Sequence, residues 1–227
     1  MVNSDFFLTL LLTLRLATVT TLVLLALGLP LSYALSQWRS RGKPLVEALI
    51  AMPLVLPPTV LGFYLLLAFS PQSWLGGWLE RCCDWQLVFS FSGLVVGSVI
   101  YSLPFMVQPL QSGFEQLPAH LAEASFVLGK SRWTTFWRVQ LPNARGALLT
   151  AAILTFAHTV GEFGVILMIG GNIPGETRVA SIAIYDEVES LQYVQANRYA
   201  LVLFVFAFLI LVLVNWTNRY YPRTGRL

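Results

Sequence analysis

The sequence predicts an all-α integral membrane protein with about five transmembrane helices, its N-terminus outside and its C-terminus in the cytoplasm. Three observations lead there. Of the 227 residues 56% are hydrophobic and only 11% charged, with a mean hydropathy of +0.70, far from the roughly one quarter charged that is usual in soluble domains. Five stretches, residues 6–36, 45–69, 88–110, 146–170 and 199–217, are apolar for long enough to cross a hydrocarbon core about 30 Å thick, which takes ~20 helical residues. The cations then sort by side. Arg39, Arg41 and Lys43 follow the first stretch, Lys130, Arg132, Arg138 and Arg145 the third, and Arg219, Arg223 and Arg226 the fifth, whereas Arg81, Arg178 and Arg198 fall in the alternate connections. Retention of Lys and Arg on the cytoplasmic side gives the orientation.

The first stretch is long for one span and contains Arg15. It is expected to be one helix, because no turn signal divides it before Gly28 and Pro30; tilting, partial exposure, or packing of Arg15 against other helices would each accommodate the charge. The second stretch carries Pro53, Pro57 and Pro58, each of which removes a backbone donor and crowds the turn before it, so a kink with freed carbonyls is expected. Residues 70–87 place Trp74, Trp78 and Trp85 where amphipathic rings settle at an interface. The third stretch leads into a charged connection at 111–145. Between the fourth and fifth stretches, residues 171–198 include Ile182, Ile184, Tyr185 and Val188, dense enough for a short helix on or dipping into the outer face. One membrane domain is expected over 6–217, followed by a cytoplasmic tail at 218–227. The N-terminal MVNSDFF has no basic region, and the apolar run behind it exceeds a signal h-region, so it is read as a retained span.

Several function classes are excluded at this stage. The apolar runs and short connections leave no room for a separate soluble domain. The net charge of +3 resides at span ends, where topology accounts for it, so no nucleic-acid partner is expected. Cys82 and Cys83 are adjacent, a strained arrangement for a mutual disulfide and without metal-ligand spacing. The two histidines, His120 and His158, lie in different regions, and no nucleophile or metal constellation accompanies them. The chain is therefore expected to be neither an enzyme nor a holder of a metal or cofactor.

The connection at 111–145 has a pattern of its own. Pro118 suits a first helical residue and Gly129 a terminator, so PAHLAEASFVL reads as a short helix. A second begins at Ser131, with Trp133, Phe136, Trp137 and Leu141 on one face and Pro142 as its end. Such a pair fits either docking onto a partner protein or resting on anionic headgroups. Gly129-Lys130-Ser131 is not a phosphate loop, since Ala124 stands where that motif needs glycine.

Glu123-Ala124-Ser125, Gly129, then Val139, Leu141 and Pro142 resemble the E-A-A-x3-G-x9-I-x-L-P signature of the inner-membrane permease subunits of ATP-binding-cassette importers; Ser125 and Val139 depart from it conservatively. The resemblance implies the type I importer transmembrane fold and a coupling helix at this loop, with Glu123, Ala124 and Gly129 at a groove of an ATPase subunit. PLVLPPTVLGFYLLL (53–67) and HTVGEFGVILMIGGNIPGETR (158–178) further resemble the molybdate permeases of the molybdate/tungstate and sulfate group, although His158 stands where that group leads one to expect arginine. What this implies is a homodimer in the bacterial inner membrane, two ATPase subunits, a periplasmic oxyanion-binding protein and alternating access, with ATP hydrolysed by the partner. Sulfate, thiosulfate or tungstate permeases of the same architecture are the alternatives; an ion-coupled carrier or membrane enzyme would have no use for the 123–142 spacing.

Two sets of residues are candidates within the membrane. Pro57, Pro58, Thr59 and Gly62 mark the kink of the second span, either as static packing or as part of a gate. Glu162 is the acidic residue deep in a span, with His158 one turn earlier and Gly161 and Gly164 flanking it. An ionised carboxylate would repel an oxyanion, which favours a structural or gating Glu162 hydrogen-bonded to His158, Arg15 or a second copy. The hydroxyls of Thr155 and Thr159 are then the expected weak donors along the pathway.

Overall fold

The computed structural model describes residues 2–220, so the tail expected at 218–227, with Arg223 and Arg226, lies mostly outside the described residues. Every regular element described is helical. The first apolar stretch forms one continuous helix, α1 (Val2–Gln37), which runs through Gly28 and Pro30. Helix α2 (Lys43–Val55) and α3 (Pro58–Phe69) follow, then α4 (Trp74–Cys83), the long α5 (Phe91–Glu115) and the short α6 (Ala119–Val127). Next come α7 (Arg132–Thr135), a π-helical turn (Phe136–Gln140), α8 (Leu141–Asn143), α9 (Arg145–Gly161) and α10 (Gly164–Gly170). Helices α11 (Ala180–Glu189) and α12 (Tyr193–Tyr220) end the described chain.

Three of these, α1, α5 and α12, are long and apolar enough to cross a membrane unbroken; α2 with α3, and α9 with α10, complete five if each bent pair counts as one span. The second span is broken more sharply than a proline kink: α2 and α3 meet at 109°. Leu56 and Pro57 are both extended there, as expected when each precedes a proline. The fourth span, expected to be continuous over 146–170, is also broken, by 60°, because Glu162 leaves the helix at φ −66°, ψ 136°.

Helices α1, α5 and α9 form the centre. One apolar cluster joins Leu24, Met106, Leu110, Phe114, Phe136 and Ala151, and a second joins Leu12, Leu16, Leu94, Ile166, Val179 and Ile182. Close approach of α1 to α5 needs Gly28, where a Cβ would sit 2.6 Å from Met106 Cγ. Two buried hydroxyls along α1 bond its own backbone, Thr13 Oγ1 to Thr9 O at 2.8 Å and Thr21 Oγ1 to Ala17 O at 2.7 Å. Arg15 is reconciled with its apolar helix by lying 4.4 Å above the ring of Phe91 on α5. The outer surface of α12 exposes Leu201, Phe204, Phe208 and Leu209, as a lipid-facing helix does.

The connections are more ordered than their composition suggests. Trp74, Trp78 and Trp85 are exposed on and beside α4, whose N-cap Ser73 accepts from the Gly76 amide. Helix α11 dips into the protein by one face: Ala180, Ile182 and Ala183 are fully buried and the Ala180 amide donates to Thr13 Oγ1 on α1 at 2.8 Å, while Tyr185 and Val188 stay exposed.

Candidate functional site

The two breaks in the membrane helices meet. Helix α3 packs along α10 so tightly that a Cβ on Gly62 would lie 2.8 Å from Met168 Cβ and 3.0 Å from Val165 Cα. One on Gly164 would lie 2.7 Å from Pro58 Cβ and 3.1 Å from the Thr59 nitrogen. Of the two glycines expected to permit close helix approach, Gly164 does so, across the junction between the second and fourth spans. Gly161 has open space beside it instead.

That junction borders a cavity of about 460 Å³ lined by Pro58, Thr59, Tyr101, Ala157, His158, Gly161, Glu162, Phe163 and Gly164. His158 is fixed from one side by α5: its Nδ1 lies 2.9 Å from Ser102 Oγ, and its ring stacks on Phe105 at 4.0 Å and tilts against Tyr101 at 4.8 Å. Ser102 Oγ also lies 3.1 Å from Thr159 Oγ1, which donates to Thr155 O at 2.9 Å.

Glu162 does not pair as expected. It is displaced from the helical face of His158 by the break, His158 is engaged by Ser102, and Arg15 is occupied over Phe91. Among the described residues neither carboxyl oxygen of Glu162 has a hydrogen-bonding partner, although the residue is 3% exposed. Its backbone is nevertheless held, the carbonyl by Ser181 Oγ of α11 at 2.5 Å and the amide by Thr159 O at 3.4 Å. Thr155 and Thr159 are buried against α5 and do not line this cavity.

The loop expected at 111–145 is built as two helices around a glycine. Pro118 caps α6 and does not begin it. Gly129 adopts φ +70°, its amide bonds Phe126 O at 2.9 Å, and the Lys130 amide reaches back to Ser125 O at 3.1 Å, which closes the carbonyl end of α6. Ser131 caps α7 through the Thr134 amide at 3.2 Å. Ser125 is buried and meets Thr135 Oγ1 at 2.8 Å, so the hydroxyl that replaces the signature's second alanine ties the two helices together.

The second helix does not present one apolar face. Phe136 is buried against Tyr33 at 4.7 Å and close to Phe114, anchoring the loop to α1 and α5, while Trp133 and Trp137 remain exposed. Nor does Pro142 end it. The π-helical turn lets the Leu141 amide bond Phe136 O five residues back, and the chain passes through α8 into α9 with only Ala144 between. Leu141 packs on the central cluster, Val139 is half-buried and Pro142 exposed. The free end of the loop exposes Glu123, Ala124, Phe126, Val127, Leu128 and Gly129 together, with Val127 at 87% and Leu128 at 74%.

The motif at 171–178 is a closed turn. Thr177 Oγ1 donates to Gly170 O at 2.7 Å and accepts from the Ile173 amide at 3.0 Å, while Arg178 bonds Asp186 of α11 at 2.6 Å. Sequence reasoning passed over Tyr101, Ser102, Phe105 and Thr177. A signal existed for the first group, since Gly93, Gly97, Ser98 and Ser102 put small residues at near-helical spacing along the third span.

Comparison with known proteins agrees with this architecture. The profile of the family described as binding-protein-dependent transport system inner membrane component matches residues 25–225. The chain is 49% identical over 209 residues to the molybdenum transport system permease protein ModB of Azotobacter vinelandii, covering 92% of each. It is 34% identical to the putative molybdenum transport system permease protein YvgM of Bacillus subtilis, covering 93% of each. The sulfate transport system permease protein CysT of Escherichia coli is 33% identical, over 83% of this chain and 68% of that protein. In fold, the chain resembles a subunit of a bacterial ABC transporter involved in alginate import, with a TM-score of 0.75 over 98% of this chain at 18% identity. A second structure of a bacterial alginate ABC transporter, in complex with its periplasmic protein, gives 0.76. With an ABC importer permease fold and a family profile over most of its length, the chain belongs to the inner-membrane components of binding-protein-dependent transport systems.

Proposed function

We propose that the chain is the permease subunit of an ATP-driven importer and moves molybdate across the inner membrane. The observation that carries the substrate is the 49% identity to a molybdenum permease over nearly the whole of both chains; tungstate and sulfate are the alternatives of the same class. Loop 111–145 faces the cytoplasm in this reading, and its end at Glu123, Ala124 and Gly129 seats in an ATPase subunit. The geometry supports docking onto protein. Exposed Val127 and Leu128 sit beside Lys130 and Arg132, and the central apolar clusters leave them uncovered.

One copy cannot enclose a pathway, so two copies associate, with two ATPases below and an oxyanion-binding protein above. The pathway passes the break at Pro57, Pro58, Thr59 and Gly62. Approach of the ATPases draws the two loops together, and Phe136, fixed between α1 and α5, transmits that movement to the spans. The test is complementation of a bacterium lacking its molybdate permease. Expression of this chain with its ATPase and binding protein is expected to restore uptake of labelled molybdate that excess tungstate inhibits strongly and sulfate weakly. Inhibition by sulfate alone would transfer the reading to a sulfate permease.

A further inference from the structure

Loop 111–145 exposes two faces. The tip at 123–129 is the one that seats in an ATPase; the other runs along α7 and the π-helical turn. Its height is set by Phe136, whose ring meets Tyr33 at 4.7 Å and Phe114 at 6.0 Å. Phe114 is the last residue but one of α5, and Tyr33 stands one turn from the end of α1. Both helices are long and apolar enough to cross a membrane, so Phe136 marks the level at which two spans finish.

Trp133 and Trp137 sit at that level. Their ring centroids lie 6.4 and 5.2 Å from that of Phe136 and 5.5 Å from each other, T-shaped in the two closer contacts. Phe136 turns inward and the indoles stay outside, Trp133 with 71% of its surface open. An indole has an apolar body and one N–H donor, and such rings settle where hydrocarbon gives way to headgroups. Cations surround them. Arg138 follows Trp137 and is exposed, and α1, one turn beyond Tyr33, gives way to exposed Trp38, Arg39 and Arg41. Among the described residues these three arginines have no carboxylate partner: Glu47 and Glu115, the acids of α2 and α5, are taken by Lys43.

Two observations choose a membrane over a protein as what covers this face. It is continuous with the ends of α1 and α5, which stand in the bilayer whatever else binds, and it carries cations without acids, which complement anionic headgroups. Guanidinium groups also suit the phosphodiester of a phospholipid, to which they donate paired hydrogen bonds. We propose that Trp133, Trp137 and Arg138, with Trp38, Arg39 and Arg41, form a binding surface for anionic phospholipid at the membrane boundary, so that lipid holds one side of the loop and the ATPase the other. This goes beyond the transport reading and needs only that the spans lie in a bilayer.

The experiment places the full chain in phosphatidylcholine vesicles containing a minor fraction of phosphatidylglycerol, with one or the other lipid brominated near the headgroup end of its chains to quench nearby indoles. Subtracting the fluorescence of Trp133→Phe/Trp137→Phe isolates these two rings. At equal mole fraction, brominated phosphatidylglycerol is expected to quench that signal about two- to fivefold more effectively than brominated phosphatidylcholine, the weight of one cation near an anionic surface, and less so at high salt. Arg39→Gln/Arg41→Gln/Arg138→Gln is expected to remove the preference, and the three corresponding lysine substitutions to keep most of it; Lys43, Lys130, Arg132 and Arg145 remain to hold the orientation. Bound ATPase is expected to leave the quenching in place. Equal quenching by the two lipids, or a preference that survives the glutamine substitutions, would overturn the proposal. So would quenching that vanishes when the ATPase binds, which would give this face to the ATPase.

Discussion

Gly129→Ala is the cleanest perturbation of the loop, because nothing but the backbone opposes it. At φ +70° the residue occupies left-handed space, and no heavy atom lies within 4 Å of the position a Cβ would take. Steric clash with neighbours is absent, so the cost is that of an L-residue in this conformation, about 1–2 kcal/mol. The strain falls on two bonds, Gly129 N–H to Phe126 O and Lys130 N–H to Ser125 O, which close α6. A change of that size alters the ratio of closed to open loop by roughly 5- to 30-fold. Amide hydrogen exchange over residues 119–135 is expected to accelerate by about that factor, while the membrane spans exchange as before. Gly129→Asn, whose side chain tolerates left-handed backbone, is expected to show a smaller acceleration. Equal exchange in the Ala variant and the unsubstituted protein, or a larger effect for Asn than for Ala, would refute the argument.

Other substitutions test other joints. Gly164→Ala drives a Cβ to within 2.7 Å of Pro58 and 3.3 Å of its backbone carbonyl carbon, and is expected to destabilise by about 1–3 kcal/mol, read as a lower Tm of the detergent-purified protein. Phe136→Ala empties the site where the loop is anchored to Tyr33 and Phe114; a loss of about 3–5 kcal/mol should appear as increased proteolysis within 111–145. Thr177→Val leaves Ile173 N–H and Gly170 O without their partner, at about 1–3 kcal/mol for each group that stays buried, and should make the turn at 171–178 an early site of protease cleavage. Lys43→Met severs ion pairs to Glu47 and Glu115 that are open to solvent, so Tm of the purified protein is expected to stay unchanged.

How far the sequence reveals this molecule depends on which forces act locally. Spans were legible because hydrophobic length is a local property, and the turn at Gly129 because one glycine between two short helical patterns announces it. The position of the break in the fourth span was not legible. Gly161 and Gly164 signal close packing, and Gly164 alone delivers it, against α3, but where the helix ends at Glu162, Ser181 of α11 holds its carbonyl. That contact spans nineteen residues and leaves no periodic trace.

Pro142 misled for a related reason. A proline ends a helix unless the preceding turn can widen, and the π-helical turn at Phe136–Gln140 does widen. The loop's apolar residues formed one stripe by arithmetic, yet Phe136 turns into the core while Trp133 and Trp137 stay outside, because Tyr33 and Phe114 are available only to the first. Helical spacing pairs Glu162 with His158 only while the helix continues. Once the helix ends, that relation no longer holds, and Ser102 takes the histidine instead.

The central claim, that this chain is a permease driven by an ATPase through loop 111–145, is tested most directly by reconstitution. Vesicles containing the chain, its ATPase partner and the oxyanion-binding protein are supplied with ATP and labelled molybdate, beside vesicles whose chain carries Glu123→Arg. Accumulation is expected only with ATP and all three proteins, and the substituted chain should remain inserted but neither retain the ATPase nor accumulate molybdate. Accumulation without the ATPase, or undiminished accumulation with Glu123→Arg, would contradict the account.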